Sequence, residues 1–401
     1  MKVIQPEVLV IGAGMYVSGR GTSGYGTVLP TLVQAQTEGL IGQIRVAATS
    51  HTSIQFIKNQ LNELNKVMGT TTDIIGYPDS GYNSTAYETA LSETSHPACA
   101  IVVVPDHLHH KIASEVIKYG IHPLIVKPFT PTVSEGLQLI HLADSLNVYG
   151  AVEFHKRFDE SNLVLKQAIS EGKLGDLSYI TVEYSQKRLV RDIFSDWITE
   201  TNIFQYLGVH YVDLIYFLTN ATPVKALATS QCMTSNYPDS IQAIIEWRAP
   251  NGIEFISTIN TNWIDPNSTS AMSDQKITVV GSEGRFQADQ KHRGVQLITQ
   301  DSNGMEELNP YFSQIYMDHD NKMSINGYGP KSITRFIKDV REIVSAKVDR
   351  RMLEQLRPSF KSSLVSTSVI EAVNTSLNNG NEWVFVHPET GRVQHNHHDS
   401  S

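Results

Sequence analysis

Cysteine is nearly absent from this sequence, since its 401 residues include only Cys99 and Cys232. Two cysteines so far apart along the chain cannot build a disulfide framework or a cysteine-based metal site. Long apolar runs are also missing, because no segment approaches the roughly 20 residues that a membrane span needs. The first ten residues lack the layout of a signal peptide. We therefore expect a cytoplasmic protein without membrane contact.

Basic charge is scarce as well. Lys and Arg number 32 against 41 Asp and Glu, which gives a net charge of −9 at pH 7. Nucleic-acid binders rely on Lys and Arg to neutralise phosphates, so no nucleic-acid partner is predicted. No metal site is predicted either. His395, His397 and His398 are interpreted as part of a flexible end, with metal binding as the less favoured alternative.

The first part of the chain alternates strand and helix patterns. Apolar runs, broken only by Arg45, lie at residues 8–11, 44–48, 100–104, 123–126 and 149–152, and helix-spaced apolar residues separate several of them. Strands that are apolar along their whole length are typical of a parallel sheet covered on both faces. Residues 1–150 are therefore predicted to form a doubly wound α/β domain.

The second part lacks this alternation. Residues 177–186, 241–247, 252–262 and 276–280 are β-rich, with no helices between the last three runs. This pattern predicts an α/β domain over residues 151–385 with a large open, mostly antiparallel sheet, followed by a flexible tail at 386–401. An open sheet face favours a homodimer or homotetramer. Of the helical patterns at 202–218, 330–344 and 360–377, the last is expected to pack near the first domain.

A glycine turn follows the first strand. Gly12-Ala13-Gly14 directly follows the apolar run at residues 8–11, and Met15 comes next. In a dinucleotide site the first glycine permits the tight turn and the second lets the pyrophosphate approach the backbone. The usual third glycine falls at Val17, so the loop is expected to stay extended until a helix starts near Thr27. A plain glycine turn is the alternative.

The cofactor type is left open by the end of the second strand. A dinucleotide site usually carries an acidic residue there for the ribose hydroxyl, and this chain has Ser50 and His51. Absence of a carboxylate favours tolerance of NADP, while absence of an arginine from that segment leaves NAD possible. We therefore predict NAD or NADP, with Ser50 and His51 near the ribose.

Two further strand ends carry polar residues. Pro105-Asp106-His107-Leu108-His109 follows one buried strand, and Lys127-Pro128 follows the next. Ligands gather at the carboxyl ends of parallel strands, and a buried strand end is a costly place for an ammonium unless it faces a polar crevice. These residues are therefore predicted to contact the cofactor. His109 has the alternative role of a hydrogen-bonding residue at a helix start.

These motifs resemble those of a known family. The glycine turn, the segment 105–109 and Val126-Lys127-Pro128 are similar to the three cofactor motifs of the Gfo/Idh/MocA oxidoreductases, the glucose-fructose oxidoreductase and inositol dehydrogenase type. Segments 153–158, 171–175, 208–213 and 281–284 continue the resemblance in the family's order. It implies a Rossmann domain followed by a large-sheet domain, with Lys127 at the nicotinamide end. Val126 replaces the usual glutamate, and Asp106 replaces the usual asparagine.

The resemblance also places a catalytic motif at Gly208-Val209-His210-Tyr211-Val212-Asp213. His210 and Asp213 share a helix face, and a histidine can accept a hydroxyl proton near neutral pH. Lys127 would stabilise the alkoxide or carry a second proton. Tyr206 stands where the family often has an aspartate and is a candidate hydrogen-bond donor. A core position for His210 and simple packing for Tyr206 are the alternatives.

Polar residues near the domain junction are candidates for substrate binding. A polyol needs many directional donors and acceptors. Five residues could supply them or a stacking face, namely His155, Lys156, Arg157, Asp213 and Trp263. For Trp263 the alternative is ordinary sheet packing.

The predicted activity is hydride transfer between a nicotinamide and a ring secondary hydroxyl or ketone. The substrate class is a sugar, a glycoside or a cyclitol, with C3 as the favoured position in a glycoside. Two alternatives remain open. One is a non-catalytic dinucleotide-binding sensor, which the changes at Val126 and Tyr206 suggest. The other is an NAD-dependent enzyme that cleaves glycosides with a retained cofactor.

Overall fold

The computed structural model describes residues 4–194, 197–300 and 304–394. The elements up to residue 170 follow in chain order: β1 Glu7–Ile11, α1 Met15–Ser18, α2 Val28–Thr37, β2 Ile44–Ala47, α3 His51–Met68, β3 Ile74–Tyr77, α4 Ala86–Glu93, β4 Ala98–Val102, α5 His109–Lys118, β5 His122–Val126, α6 Val133–Ser145, β6 Ala151–Glu153 and α7 Glu160–Ser170. Short 3₁₀ turns precede α5 at Asp106–Leu108 and α7 at His155–Phe158.

The remaining elements are mostly strands. They are β7 Leu177–Lys187, α8 Arg188–Ile193, α9 Val209–Thr219, β8 Thr222–Gln231, β9 Ser240–Arg248, β10 Glu254–Asp265, β11 Ser273–Gly281, β12 Arg285–Asp289, β13 Gln296–Ile298, β14 Met305–Glu307, β15 Gln314–Met317, β16 Met323–Asn326, α10 Tyr328–Val344, α11 Arg350–Leu356, α12 Phe360–Asn378, β17 Val384–Val386 and β18 Val393–Gln394. A 3₁₀ turn at Ile198–Glu200 and a π-helical turn at Phe204–Gly208 lie before α9.

The first sheet has six strands in the order β3-β2-β1-β4-β5-β6, and all neighbours are parallel. This is the strand order of the dinucleotide-binding Rossmann fold. The strand order reverses between β1 and β4, and the ends of these two strands border a crevice in such sheets. The predicted fold of the first part is confirmed.

The second sheet has eight strands in the order β12-β11-β7-β10-β9-β8-β17-β18. Its neighbours are antiparallel except β7 and β10. Side chains alternate between buried and exposed along β9 and β10, because one face packs against the apolar core of this part and the other stays open. The predicted large, mostly antiparallel sheet is confirmed.

The chain divides into two compact units that are not contiguous in sequence. The first unit comprises Met1–Phe129, Gly136–His155 and Tyr311–Ser362, and the second comprises Thr130–Glu135, Lys156–Pro310 and Ser363–Ser401. The predicted boundaries, 1–150 and 151–385, do not include the return of residues 311–362 to the first unit. Helix α10 belongs there because its apolar stripe, Ile333, Phe336, Ile337 and Val340, is buried in that unit's core.

The expectation that the last helix packs near the first domain holds only at its start, where Phe360 belongs to the first unit and its ring lies 4.6 Å from that of Phe129. From Ser363 onward, α12 belongs to the second unit, and its Val369, Ala372 and Val373 lie in that unit's apolar core. Its apolar spacing shows which face is buried but not which partner covers it.

Residues 387–394 form a turn and a strand, where a flexible tail was predicted to begin at residue 386. Strand β18 pairs with β17 in antiparallel fashion, with Val386 opposite Val393, after a turn in which Gly391 has φ +69°. The three histidines of the predicted tail lie outside the described residues. Within the described ranges, no helix is long and apolar enough to cross a membrane. The same ranges contain no cluster of three or more His, Cys, Asp or Glu side chains suited to a metal ion.

Candidate functional site

The glycine turn after β1 combines close packing with an open surface. Gly12 has φ +125°, and a Cβ atom there would lie 1.9 Å from the carbonyl oxygen of Val103, so only glycine fits. A Cβ atom on Gly14 would meet nothing within 4 Å. The first glycine therefore serves the chain's own packing, and the second leaves the space that a pyrophosphate needs.

The helix that follows this turn is interrupted. Partly exposed Met15 starts α1, which is a single turn, whereas an extended loop had been expected until near Thr27. Gly19 then turns the chain with φ +72°, and a Cβ atom there would lie 1.8 Å from the Gly24 carbonyl oxygen. The next long helix starts at Val28. A compact loop, residues 19–27, therefore separates the turn from α2.

Hydroxyl groups gather after β2, at the predicted ribose position. Ser50 caps α3, and its Oγ lies 3.3 Å from the backbone nitrogen of Ser53 and 3.0 Å from the Ser53 hydroxyl oxygen. His51 is partly exposed and contacts the Pro78 carbonyl oxygen through Nδ1 at 3.2 Å. Arg20, from the compact loop of residues 19–27, donates to the Ser53 hydroxyl at 2.8 Å. The apolar and glycine patterns did not predict that an arginine would reach this strand end.

The residues after β4 divide between exposed and buried positions. Pro105 is partly exposed and His107 is exposed, whereas Asp106 and His109 are buried. His109 Nδ1 lies 2.7 Å from the Pro128 carbonyl oxygen, and its Nε2 lies 3.0 Å from that of Val104. An imidazole donates through one nitrogen when neutral and through both when charged. The ring therefore links the end of β4 to the segment after β5 and fixes the backbone next to Lys127.

Lys127 follows β5 directly, in a desolvated position. Burial lowers its pKa from the ordinary 10.5 to about 8, and the nearby carboxyl groups of Asp106 and Glu153 oppose that shift. Part of the surface of Lys127 nevertheless remains accessible to solvent. An ammonium with a pKa near neutrality can both stabilise an oxyanion and exchange a proton.

Glu153 supplies a carboxyl group that the sequence motif lacks. It lies opposite Val126 in the register of β5 and β6, so the charge comes from the neighbouring strand instead of the residue before Lys127. Glu153 is buried, and it accepts hydrogen bonds from the Ser332 hydroxyl on α10 and, at 3.0 Å, pairs with His155 Nδ1. The ring of His155 stacks on Tyr328 at 5.6 Å between centroids. His155, a predicted substrate contact, thus has partners within the first unit.

Replacing Glu153 by Gln should lower the pKa of Lys127. The change removes a negative charge that favours the ammonium, and Gln keeps an oxygen acceptor for Ser332. The limb of the pH–rate profile that belongs to Lys127 should move below pH 8 by about one unit. Glu115→Gln, on the surface of α5, is the matched control and should leave the limb in place. An unmoved limb in Glu153→Gln would remove Glu153 from any positioning role.

The second unit holds the predicted histidine motif. His210 is buried near the start of α9, with its ring 6.3 Å from that of Tyr184. The preceding π-helical turn contains partly exposed Tyr206, whose ring packs on Trp263 at 5.9 Å. A Cβ atom on Gly208 would lie 2.7 Å from the ring of Phe204, so glycine permits this turn. Single π turns within helices are frequent at functional sites.

The other predicted substrate residues have partners within the second unit. Arg157 Nε donates to Asp213 Oδ2 at 2.8 Å, and a second guanidinium nitrogen contacts the other oxygen. Burial raises the pKa of Asp213, and Arg157 opposes that rise. Lys156 is 1% exposed and donates to the amide oxygens of Gln275 and Gln290. Their roles as substrate contacts stay predictions.

Trp263 is 0% exposed, and its ring faces are covered by protein. A stacking platform for a sugar needs an exposed face, which this side chain lacks in the structure. A sugar-stacking role for Trp263 also stays a prediction, and the ring supports Tyr206 instead.

The first unit fits a nicotinamide dinucleotide. Gly14 leaves open space beside the turn, hydroxyl groups and Arg20 lie after the adjacent strand, and Lys127 and Asp106 follow β5 and β4. All of these groups follow the carboxyl ends of parallel strands, where such sheets bind ligands. Sequence reasoning missed Arg20, Glu153 and Ser332. An arginine inside a glycine-rich stretch was the available signal for the first, and no local signal marks Ser332.

The strand order and the glycine turn define an α/β dinucleotide-binding protein. Two family models match the chain. One, described as "Oxidoreductase family, NAD-binding Rossmann fold", covers residues 7–154, and the other, "GFO/IDH/MocA C-terminal domain", covers residues 163–287. The chain belongs to the GFO/IDH/MocA family of oxidoreductases, and its first unit contains an NAD-binding Rossmann domain.

Individual relatives match over shorter stretches. A scyllo-inositol 2-dehydrogenase (NADP(+)) of Bacillus subtilis is 33% identical over 126 residues, which cover 30% of this chain and 35% of that protein. An uncharacterized oxidoreductase of Schizosaccharomyces pombe is 25% identical over 203 residues, 49% of this chain and 53% of that protein. The chain thus spans about a third to a half of the length of these relatives.

Solved structures match over nearly the whole chain. Myo-inositol 2-dehydrogenase of Lactobacillus plantarum has a TM-score of 0.65 at 16% identity, covering 96% of this chain and 100% of that one. Scyllo-inositol dehydrogenase of Lactobacillus casei, with bound NAD(H) and scyllo-inositol, has a TM-score of 0.62 at 13% identity, covering 95% and 99%. At such identities the likeness establishes the fold.

Proposed function

We propose that this chain is an NAD(P)-dependent dehydrogenase that acts on a ring secondary hydroxyl or ketone of a cyclitol, sugar or glycoside. The observation that carries the proposal is Lys127, a desolvated lysine with a pKa of about 8 that follows β5 in an NAD-binding domain. Relatives and fold neighbours named as inositol dehydrogenases favour a polyol substrate. C3 remains the favoured position if the substrate is a glycoside.

The chain's own residues would handle the proton. The bound cofactor supplies the hydride acceptor or donor. In the oxidation direction His210 takes the hydroxyl proton, and the ammonium of Lys127 stabilises the alkoxide oxygen as the ring hydrogen leaves. Tyr206 donates a hydrogen bond to a substrate oxygen. Asp106 and Glu153 hold the charge balance around Lys127.

The position of Glu153 supports an enzymatic function over that of a non-catalytic sensor. The sensor alternative was motivated partly by the loss of a carboxylate at Val126. In the structure, Glu153 lies opposite Val126, and its charge opposes the fall that burial causes in the pKa of Lys127. A carboxyl group near Lys127 is therefore present, although it is not at position 126. The small-molecule partner, the homodimer or homotetramer and the cytoplasmic location stay predictions.

The experiment that tests the proposal is a substrate panel in both directions. Pure protein is mixed with NAD⁺ or NADP⁺ and inositols, sugars and glycosides, or with the reduced cofactor and the matching ring ketones. Cofactor absorbance should change with at least one cyclitol or sugar, and His210→Gln should lower kcat by about 10²- to 10⁴-fold because the base is lost. His141→Gln, at an exposed histidine of α6, is a control for a general effect of losing an imidazole.

Three outcomes of this panel separate the candidate functions. No turnover with any member, despite tight cofactor binding, would contradict the dehydrogenase and support a sensor. Release of free aglycone without net change in the cofactor would support glycoside cleavage. Equal activity of His210→Gln and the parent protein would remove His210 from the mechanism.

A further inference from the structure

The compact loop of residues 19–27 places the guanidinium group of Arg20 at the end of β2. Gly19 and Gly21 have φ values of +72° and +83°, a region in which other residues are strained, and they flank Arg20. The loop folds on itself, since both the backbone nitrogen and the hydroxyl of Thr22 donate to the Gly19 carbonyl oxygen at 2.8 Å. Arg20 is therefore presented from a defined turn.

Two contacts hold the Arg20 side chain against α3. One guanidinium nitrogen donates to the Ser53 hydroxyl at 2.8 Å, and the guanidinium carbon lies 5.8 Å from the centre of the Phe56 ring. The residue is nevertheless exposed. A guanidinium has five N–H donors in a planar fork that matches phosphate oxygens. The side chain is thus oriented and still open to a ligand.

The surroundings of Arg20 are rich in hydroxyl groups and lack acidic residues in the adjoining segment. Ser50 Oγ lies 3.0 Å from the hydroxyl oxygens of both Thr52 and Ser53. No Asp or Glu occurs between Ala47 and Ser53. A carboxylate at this strand end would bind the ribose 2′-hydroxyl and repel a 2′-phosphate. Here the charge at that position is positive.

We propose that Arg20, Ser50 and Ser53 form a site for the 2′-phosphate of NADP(H), which makes NADP the preferred cofactor. The site follows β2, next to the glycine turn, and the backbone nitrogen of Gly12 donates to the Ala47 carbonyl oxygen at 2.8 Å. The adenosine ribose occupies this strand end in Rossmann domains. The inference deepens the proposed function, because it names the cofactor of the same site, but it depends only on the NAD-binding domain.

The test is a binding measurement, which is independent of turnover. Titration calorimetry with NADP⁺, NAD⁺ and adenosine 2′,5′-bisphosphate should give NADP⁺ at least about tenfold tighter than NAD⁺. Arg20→Ala should weaken NADP⁺ and the bisphosphate by about 10- to 100-fold and change NAD⁺ by less than about threefold. Arg351→Ala, at an exposed arginine of α11, should change none of the three.

A second variant tests the same site in the opposite direction. Ser50→Asp should invert the preference towards NAD⁺, because the carboxylate binds the 2′-hydroxyl and repels the phosphate. Aspartate caps a helix as well as serine does, so α3 should remain capped. Equal affinities for NAD⁺ and NADP⁺, loss of both on Arg20→Ala, or no binding of NADP⁺ would each overturn the inference. A protein that prefers NADP⁺ but turns over no polyol would refute the proposed activity alone.

Discussion

Lys127→Met should lower kcat by at least about 10³-fold while the cofactor remains bound. Methionine keeps the length and apolar stem of the side chain but removes the ammonium, so both alkoxide stabilisation and proton exchange are lost. Because burial lowers the pKa of Lys127 to about 8, the parent enzyme should lose the ammonium as the pH rises through 8. Alcohol oxidation should therefore slow above that pH, because the alkoxide loses its stabilising charge.

Lys127→Arg separates charge from proton exchange. An arginine stays charged throughout the accessible pH range, so it can stabilise an oxyanion but cannot accept a proton. This variant should retain some activity and lose the limb near pH 8. Steady-state pH profiles together with cofactor titrations check both variants. A Lys127→Met enzyme with parent kcat, or one whose only defect is weaker cofactor binding, would show that the lysine has no part in chemistry.

Arg157→Leu should destabilise the second unit by about 3–5 kcal/mol. The change leaves the Asp213 carboxylate, 1% exposed, without its bidentate partner. The pKa of Asp213, already raised by burial, should rise further, so the folded variant binds a proton that the unfolded chain releases at neutral pH. Its stability should therefore recover as the pH falls towards the ordinary carboxyl pKa. Urea unfolding at several pH values measures this.

The double variant Arg157→Leu/Asp213→Leu is the control for the buried pair. Replacing both charges with apolar groups should restore much of the lost stability, because no unpaired charge remains buried. This result would assign the pair to the framework that holds α9 and His210. An unchanged unfolding midpoint in Arg157→Leu, with only the substrate KM raised, would instead support the substrate contact predicted from sequence.

The apolar pattern of the sequence predicts both sheets, but it does not predict every strand in them. Strands such as β4 and β5 are apolar along their length, which is typical of buried parallel strands. Apolar patterning does not predict β3 because Gly76 interrupts its apolar residues. It does not predict β8 because the inward positions of that strand are small alanines, Ala226 and Ala228. The return of α10 to the first unit could not be predicted, since an amphipathic pattern identifies a buried face and not its partner.

The candidate site was predictable only where its residues lie next to a recognisable motif. Lys127 and Gly12 follow strands directly, and Asp106 lies in the short turn after β4, so the fold alone positions them. Arg20 and Glu153 belong to elements other than the strands that carry the motifs they lie near. Arg20 reaches the end of β2 because a glycine turn redirects the chain, and Glu153 reaches Lys127 through the register of β5 and β6. Such placements depend on tertiary structure, which local patterns do not encode.

The most direct test of the central claim follows the transferred hydrogen. Members of the cyclitol and sugar panel that carry deuterium on their ring carbons are incubated with the protein and oxidised cofactor, and the cofactor is analysed by mass spectrometry and NMR. The expected result is a reduced nicotinamide that carries a single deuterium, with label transfer by Lys127→Met slowed at least about 10³-fold. A cofactor that stays bound and oxidised with every member, and whose reduced form is likewise unchanged by the matching ketones, would contradict the claim.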